Sequence, residues 1–478
     1  MNFVVVTLFY QIFAYLSFLF SELLSNIYCS TTVEVQAPYG YALDSTPVNF
    51  SVSAENTEKE NTLTIVKVVK QNTAQKGKIS VQKTGDIFTS VAMASSAYTN
   101  ENGEMIVNPT TYTPVFADGD LSGAVFQVIA VEDIVTLDGT VHANAGNVVA
   151  EITTDENGYA ETDLLYLGKY EIKEVQAPYG YVRNSESQFV ELTYAGQEIA
   201  VRDTVNASFV NDYQSVEISL SKVMENDELF GIGNNNEYLS VRFGLFAAED
   251  IQAADGSVIP ADGLLSEVSF DENMTAKFDV QIPFGRYYVQ EIATDEHYVL
   301  NGEKYLVNFE YMGQDIQNVN IDCGQFVNLL KRGRIEGHKT DDKSEPLENA
   351  VFGLFTADCV KFSRDTAVMT AASDENGCFE FTDVPFGQYI VREIESPSGY
   401  ILSDKEYAVS ISEDGEVIEI TAENKPITVE ISKRDVYGNE LVGAEMVLEN
   451  ADGETVDMVL SISLDTFYSN KNYAARKI

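Results

Sequence analysis

The sequence predicts an all-β chain of tandem antiparallel β-sandwiches, immunoglobulin-like in kind and forming an elongated rod. Two observations carry that prediction. Three apolar phrases recur in a fixed order, the mark of a repeat architecture. Between them, short runs alternate apolar and polar residues, with turn signals about every ten residues and almost no helical period. With 478 residues, 45% of them apolar, 26 Tyr and 26 Phe, the chain can build several packed cores and is not read as disordered.

The first element is apolar. Residues 3–24 (FVVVTLFYQIFAYLSFLFSELL) are long enough for a membrane or signal helix, interrupted by Gln11, Ser17, Ser21 and Glu22. No basic residues precede the stretch and no small-residue cleavage site follows it, as a secretory signal would require. The chain then enters the middle of a repeat directly. Residues 1–30 are therefore expected to be an improvised anchor or a gene-model artefact, with the true start elsewhere.

The repeats follow. Their first phrase is an apolar strand ending in Lys, at Lys83, Lys222, Lys339 and Lys433. The second reads LGKYEIKEVQAPYGY around Glu174, PFGRYYVQEIATDEHY around Glu291 and PFGQYIVREIESPSGY around Glu393, with an incomplete EVQAPYGY beginning at Glu34. The third is a strand closing on Asn72, Asn211, Asn328 and Asn424. Glu to Asn is 38, 37, 37 and 31 residues, whereas Lys to Glu varies as 91, 69 and 54, so insertions fall in the first half of each unit. Only 11, 11, 11 and 9 residues separate each Asn from the next Lys, so the units adjoin almost end to end. Three complete units are expected at 78–213, 214–331 and 332–426, the first with an insertion at 87–120 read as a long loop. Partial units occupy 31–77, lacking first strands, and 427–478, which has Lys433 and GAEMVLENADG but neither Glu phrase nor closing Asn. DENG at 155–158 and 374–377 marks a shared hairpin turn; the terminal Glu of a calcium loop is missing, so no metal is expected.

Alternation shows where the polar ends of these strands point, because every second side chain shares a face. Lys83 shares parity with Ile79 and Val81, and Lys222 with Val216, Ile218 and Leu220. Glu174, Glu291 and Glu393 each end a Tyr-x-Ile/Val-x-Glu pattern, and Asn211 and Asn328 follow Phe209 and Phe326 at the same parity. A buried charge is costly unless paired, so one reading is a buried Lys–Glu ion pair with an Asn hydrogen bond. The other is a reaction. Burial lowers the pKa of Lys and raises that of Glu; a neutral amine can then attack the Asn carbonyl while a protonated Glu polarises it and passes protons to departing ammonia. The product is a Lys–Asn isopeptide bond.

The Glu phrase, with an inward Lys before it and an Asn closing the last strand, closely resembles the SpaA-like prealbumin-fold and Cna B-type repeats of Gram-positive surface proteins and pilins. The phrase looks like the pilin E-box. That resemblance implies prealbumin-like sandwiches and one spontaneous isopeptide bond per complete repeat. Lys83, Lys222 and Lys339 would be the amines, Asn211, Asn328 and Asn424 the acceptors, and Glu174, Glu291 and Glu393 the promoting acids. It also implies an extracellular stalk or adhesin, a host matrix protein or glycan as adhesive partner, and attachment to the cell wall. The C-terminal DTFYSNKNYAARKI carries no LPxTG-like signal and no apolar tail, so that signal is expected downstream of this sequence. The copy around Glu291 has ATDEHY where APxGY is expected, which leaves its turn in question. No YPK motif marks a covalent pilus shaft.

Other function classes fare poorly. With 75 acidic against 30 basic residues, a formal charge of −45, the chain lacks the clustered cations that bind nucleic acid or anionic membranes. Cys29, Cys323, Cys359 and Cys378 cannot make a disulfide scaffold or a zinc site. His142, His297 and His338 fall in different units, and no nucleophile elbow, P-loop, dinucleotide or HExxH motif is present. No cofactor and no small-molecule substrate is expected. The alternative to a stalk is a set of accessory repeats of a larger secreted enzyme such as a glycoside hydrolase.

Overall fold

A computed structural model describes residues 28–52, 67–99, 105–428 and parts of 430–468. The apolar segment 3–24 lies outside the described residues, so the N-terminal helix expected there stands untested. Among the described residues, no helix is long and apolar enough to cross a membrane. The fold is all-β, with one short 3-10 turn at Glu237–Ser240.

The same pair of sheets is built three times. One sheet runs Val148–Thr153, Val125–Ala130, Gly168–Gln176, Gln188–Leu192 in spatial order, with all pairs antiparallel. Its counterparts are Leu264–Ser269, Arg242–Ala247, Gly285–Ala293, Lys304–Phe309 and Met369–Ala372, Val351–Thr356, Gly387–Glu395, Glu406–Ile411. The facing sheet places a Lys-bearing strand in the centre: Ile79–Ala94, Ser215–Met224 or Arg332–Asp341. One neighbour is antiparallel (Tyr159–Glu161, Thr275–Phe278 or Cys378–Pro385). The other is the Asn-bearing strand, and it is parallel (Val205–Asn211, Asn318–Asn328 or Val417–Asn424).

Alternation along these strands closes the cores. Ile79, Val81, Phe126, Val128, Tyr170, Ile172 and Phe209 interdigitate in the first sandwich. Ile218, Leu220, Phe243, Leu245, Tyr287 and Val289 do so in the second, and Ile335, Phe352, Leu354, Phe381, Tyr389 and Val391 in the third. Each Tyr of the Glu phrase buries its ring and donates its hydroxyl to a carbonyl four residues back, Tyr170 to Tyr166, Tyr287 to Pro283 and Tyr389 to Pro385, at 2.6, 2.6 and 2.9 Å. That tie satisfies the one polar atom on an otherwise apolar ring.

The insertion at 87–120 is a correction to the sequence reading: it is not a loop. The strand Ile79–Ala94 runs on past Lys83 and pairs with Thr111–Asp120 as a long hairpin. Phe88, Val91 and Tyr112 on that hairpin pack against the core of the second sandwich. The backbone N–H groups of Ala254 and Asp255 donate to the carbonyls of Phe88 and Thr89 at 3.2 and 3.0 Å, and Val91 N–H donates to Ser257 Oγ at 2.9 Å. The apolar residues that made the insertion look like a free loop belong to a joint between two sandwiches.

A second device recurs at the joints. Gln214 is fully buried; its Nε2 donates to the carbonyls of Gly313 and Ile316 at 3.1 and 2.6 Å, and its Oε1 accepts from Met312 N–H at 2.8 Å. Gln314 reaches back, accepting from Ala177 N–H at 2.8 Å. Gln75 and Gln197 repeat the exchange one joint earlier, with Gln75 bonding Gly196, Ile199 and Ala195 and Gln197 accepting from Ala37 N–H. At the third joint the exchange is ionic: Arg332 meets Glu225 and Asp227 at 2.9 and 3.0 Å. The short segments between units are therefore largely sheet, with only residues 212–214 between Asn211 and the strand Ser215–Met224.

Candidate functional site: a buried Lys–Glu–Asn trio

Each sandwich buries one lysine, one glutamate and one asparagine from the three recurring phrases. Lys83, Glu174, Asn211, Lys222, Glu291, Asn328, Lys339, Glu393 and Asn424 are all at most 3% exposed. Parallel pairing puts Phe209 opposite Lys83, Phe326 opposite Lys222 and Ala422 opposite Lys339. The Asn two residues further along thus lies on the same face as the Lys, one step up the ladder. The Glu arrives from the facing sheet, opposite Phe126, Phe243 or Phe352.

The contacts are the same in kind. Lys83 Nζ donates to Asn211 Oδ1 and lies 3.6 Å from Glu174 Oε1. Lys222 Nζ is 2.5 Å from Asn328 Oδ1 and 2.9 Å from Glu291 Oε1. Lys339 Nζ is 3.8 Å from Glu393 Oε1, and neither that amine nor Asn424 Oδ1 has a hydrogen-bond partner among the described residues. Asn Nδ2 donates to the Glu Oε1 in every case, at 2.8, 2.9 and 2.8 Å. The other carboxylate oxygen is held by a backbone N–H ten residues on, from Asn184, Asn301 or Ser403, at 2.7, 2.7 and 2.9 Å. One oxygen is anchored and the other faces both the amine and the amide.

Electrostatics follow from burial. Desolvation pulls the Lys83 amine down to about 8 against the opposing pull of Glu174, and lowers Lys222 and Lys339 in the same way. Burial pushes the Glu174 and Glu393 carboxyls up, partly offset by the neighbouring lysine and the hydrogen bonds. Both shifts favour the neutral forms, an uncharged amine beside a carboxylic acid. Such a pair, with the amide oxygen toward the amine and the amide nitrogen on the carboxyl, has the parts for acyl transfer from Asn to Lys.

Three contributors went unread in the sequence. Phe126, Phe243 and Phe352, fully buried opposite the Glu, help dry the site, and Lys222 Nζ sits 5.2 Å over the Phe243 ring. Their signal was the Phe shared by AVFQV, VRFGL and AVFGL. The turn that fixes each Lys backbone is also common to all three: Lys83 N–H donates to Gly158, Lys222 to Met274 and Lys339 to Gly377, at 2.8, 2.9 and 2.6 Å. The second of these turns reads DENM at 271–274, with Met274 at φ 59°, and so hid from a search for DENG. The backbone clamp on the Glu has no side-chain signature.

The turn after Glu291, which lacks Pro and Gly, closes all the same. Tyr298 N–H donates to Asp295 at 3.0 Å, as Tyr181 and Tyr400 do to Pro178 and Pro397. Gly180 and Gly399 take φ 92° and 89° as type II turns require; His297 does not, and Asp295 Oδ1 accepts its N–H instead.

Residues 116–205 and 333–426 match the family model of the SpaA prealbumin-like fold domain. The chain is thus built with SpaA-type prealbumin-like domains in its first and third sandwiches. A collagen adhesin of Staphylococcus aureus is 24% identical over 243 residues, 47% of this chain and 18% of that protein. Among solved structures, the Bacillus anthracis TIE protein superposes with a TM-score of 0.51 at 20% identity, covering 80% of this chain and 55% of that one, a likeness of fold. The major pilin subunit BcpA of Bacillus cereus covers 74% of this chain at 17% identity, with a TM-score of 0.32.

Proposed function

We propose that this chain is a load-bearing part of a Gram-positive surface stalk or adhesin whose three complete repeats close their own isopeptide bonds. The bonds join Lys83 to Asn211, Lys222 to Asn328 and Lys339 to Asn424, promoted by Glu174, Glu291 and Glu393, with the repeats bounded at 78–213, 214–331 and 332–426. In each, the neutral amine attacks the Asn Cγ, the Glu carboxyl relays a proton from the amine to Nδ2, and ammonia leaves. The observation that carries this reading is the identical buried trio in three cores. The amine and amide oxygen left without partners in the third make an unreacted state costly there, since an unpaired buried polar group costs about 1–3 kcal/mol.

The surface setting is supported by the prealbumin-like domains and by the adhesin relative, whose printed name also motivates a host matrix protein as partner of the complete protein. Cell-wall attachment belongs to the same reading. The test is intact mass of single variants. Glu174→Ala, Glu291→Ala and Glu393→Ala should each regain one ammonia relative to the unsubstituted chain; variants with unchanged mass relative to their sequence difference would overturn the promoting role.

A further inference from the structure

The two ends of the described chain hold complementary halves of one such site. Near the front, Asn72 Nδ2 donates to both oxygens of Glu34 at 2.7 and 2.9 Å, and Asp44 N–H, ten residues after the Glu, donates to Glu34 Oε2 at 3.0 Å. This is the Glu–Asn arrangement of the three complete cores, clamp included, but no lysine meets it among the described residues. Glu34 and Asn72 are half-buried where their counterparts are covered. Tyr28–Thr32 pairs with Val48–Val52 as Gly168–Gln176 pairs with Gln188–Leu192, yet its other edge, which in the complete repeats receives the Phe-bearing strand, is unpaired among the described residues.

Near the back stand the missing parts. Glu430–Ile431, leading into Lys433, pairs antiparallel with Phe467–Tyr468, as a Lys strand pairs with its antiparallel neighbour. Glu445–Glu449 pairs with Thr455–Leu460, as the Phe-bearing strand pairs with its outer neighbour, and its inner edge is unpaired among the described residues. Lys433 is exposed. Each half thus lacks what the other presents, strand for strand.

We propose that the front half-unit of one copy of this chain takes up the back half-unit of a second copy, and that Lys433 then bonds covalently to Asn72. The proposal rests on the isopeptide reading given above. Docking adds Glu445–Glu449 to the free edge of Tyr28–Thr32, completing a four-stranded sheet, and lays the Lys433 strand beside the Asn72 segment under the new core. The Lys433 amine, dried by that core, attacks Asn72 Cγ. The Cγ–Nζ bond forms, the Cγ–Nδ2 bond breaks, Glu34 carries the amine proton to Nδ2, and ammonia leaves without oxidant or cofactor. Because the two surfaces differ, the contact is heterologous and copies join head to tail as an open chain.

The test is a reducing, denaturing gel of the full chain after incubation at rising concentration, read with intact mass and tryptic cross-link mapping. The expected result is a ladder of multimers whose share grows with concentration, each link releasing one ammonia and yielding a peptide that joins Lys433 to Asn72. Lys433→Ala and Glu34→Ala should abolish the ladder while the ammonia losses inside 78–426 persist. A chain that stays monomeric with those internal losses present overturns the link between copies and leaves the internal bonds standing. A chain with neither ladder nor internal losses overturns both.

Discussion

Glu174 keeps one oxygen on a backbone N–H and turns the other to the Asn211 amide and the Lys83 amine, so proton position decides what the trio can do. Lys83 gives up its proton near pH 8 rather than at its ordinary 10.5, and the carboxyl of Glu174 is held above its ordinary value. The rate of ammonia release after refolding should therefore be bell-shaped in pH. It should rise as the amine becomes neutral and fall as the carboxyl loses its proton; time-resolved mass spectrometry across pH reads both limbs, and a flat profile would count against general acid participation. Glu393→Ala should lower stability in chemical denaturation by about 4–5 kcal/mol, from loss of a bond closing an 85-residue loop. Strand parity made the inward-facing Lys, Glu and Asn legible, because alternation is a property of single strands. The Glu clamp was not, since a backbone N–H ten residues away leaves no mark on residue type.

Among the elements, the long hairpin from Ile79–Ala94 to Thr111–Asp120 and the paired glutamines turn neighbouring sandwiches into joined bodies. Gln214→Ala would leave the carbonyls of Gly313 and Ile316 and the N–H of Met312 without their partner. The expected cost is about 1–3 kcal/mol, with faster amide exchange at Met312 and unchanged exchange in the first core. The strands and their order were legible because the phrases repeat with near-constant Glu-to-Asn spacing. The hairpin was misread as a loop because its apolar residues, Phe88, Val91 and Tyr112, find their core in the next sandwich, and a pattern whose partner lies in another unit carries no local period. The glutamines were missed for the same reason: their partners are loop carbonyls about 100 residues away (|i−j| of 99 and 102), which no spacing rule connects.

For the whole molecule, the proposed bonds join the parallel first and last strands of each sandwich, so tension entering through one Lys strand passes to the Asn strand without opening the sheets between. Pulled from both ends, residues 78–426 should lengthen little. A Glu174→Ala chain should instead release the 128 residues between Lys83 and Asn211, a gain of roughly 400–460 Å measurable by single-molecule force spectroscopy. The four cysteines in 478 residues fit a protein whose bracing does not depend on cystine. The intact mass of the denatured full chain tests the central claim most directly. Three ammonia molecules fewer than the sequence requires is the predicted result for the monomer; a mass equal to that of the sequence would contradict it and leave the trios as buried ion pairs.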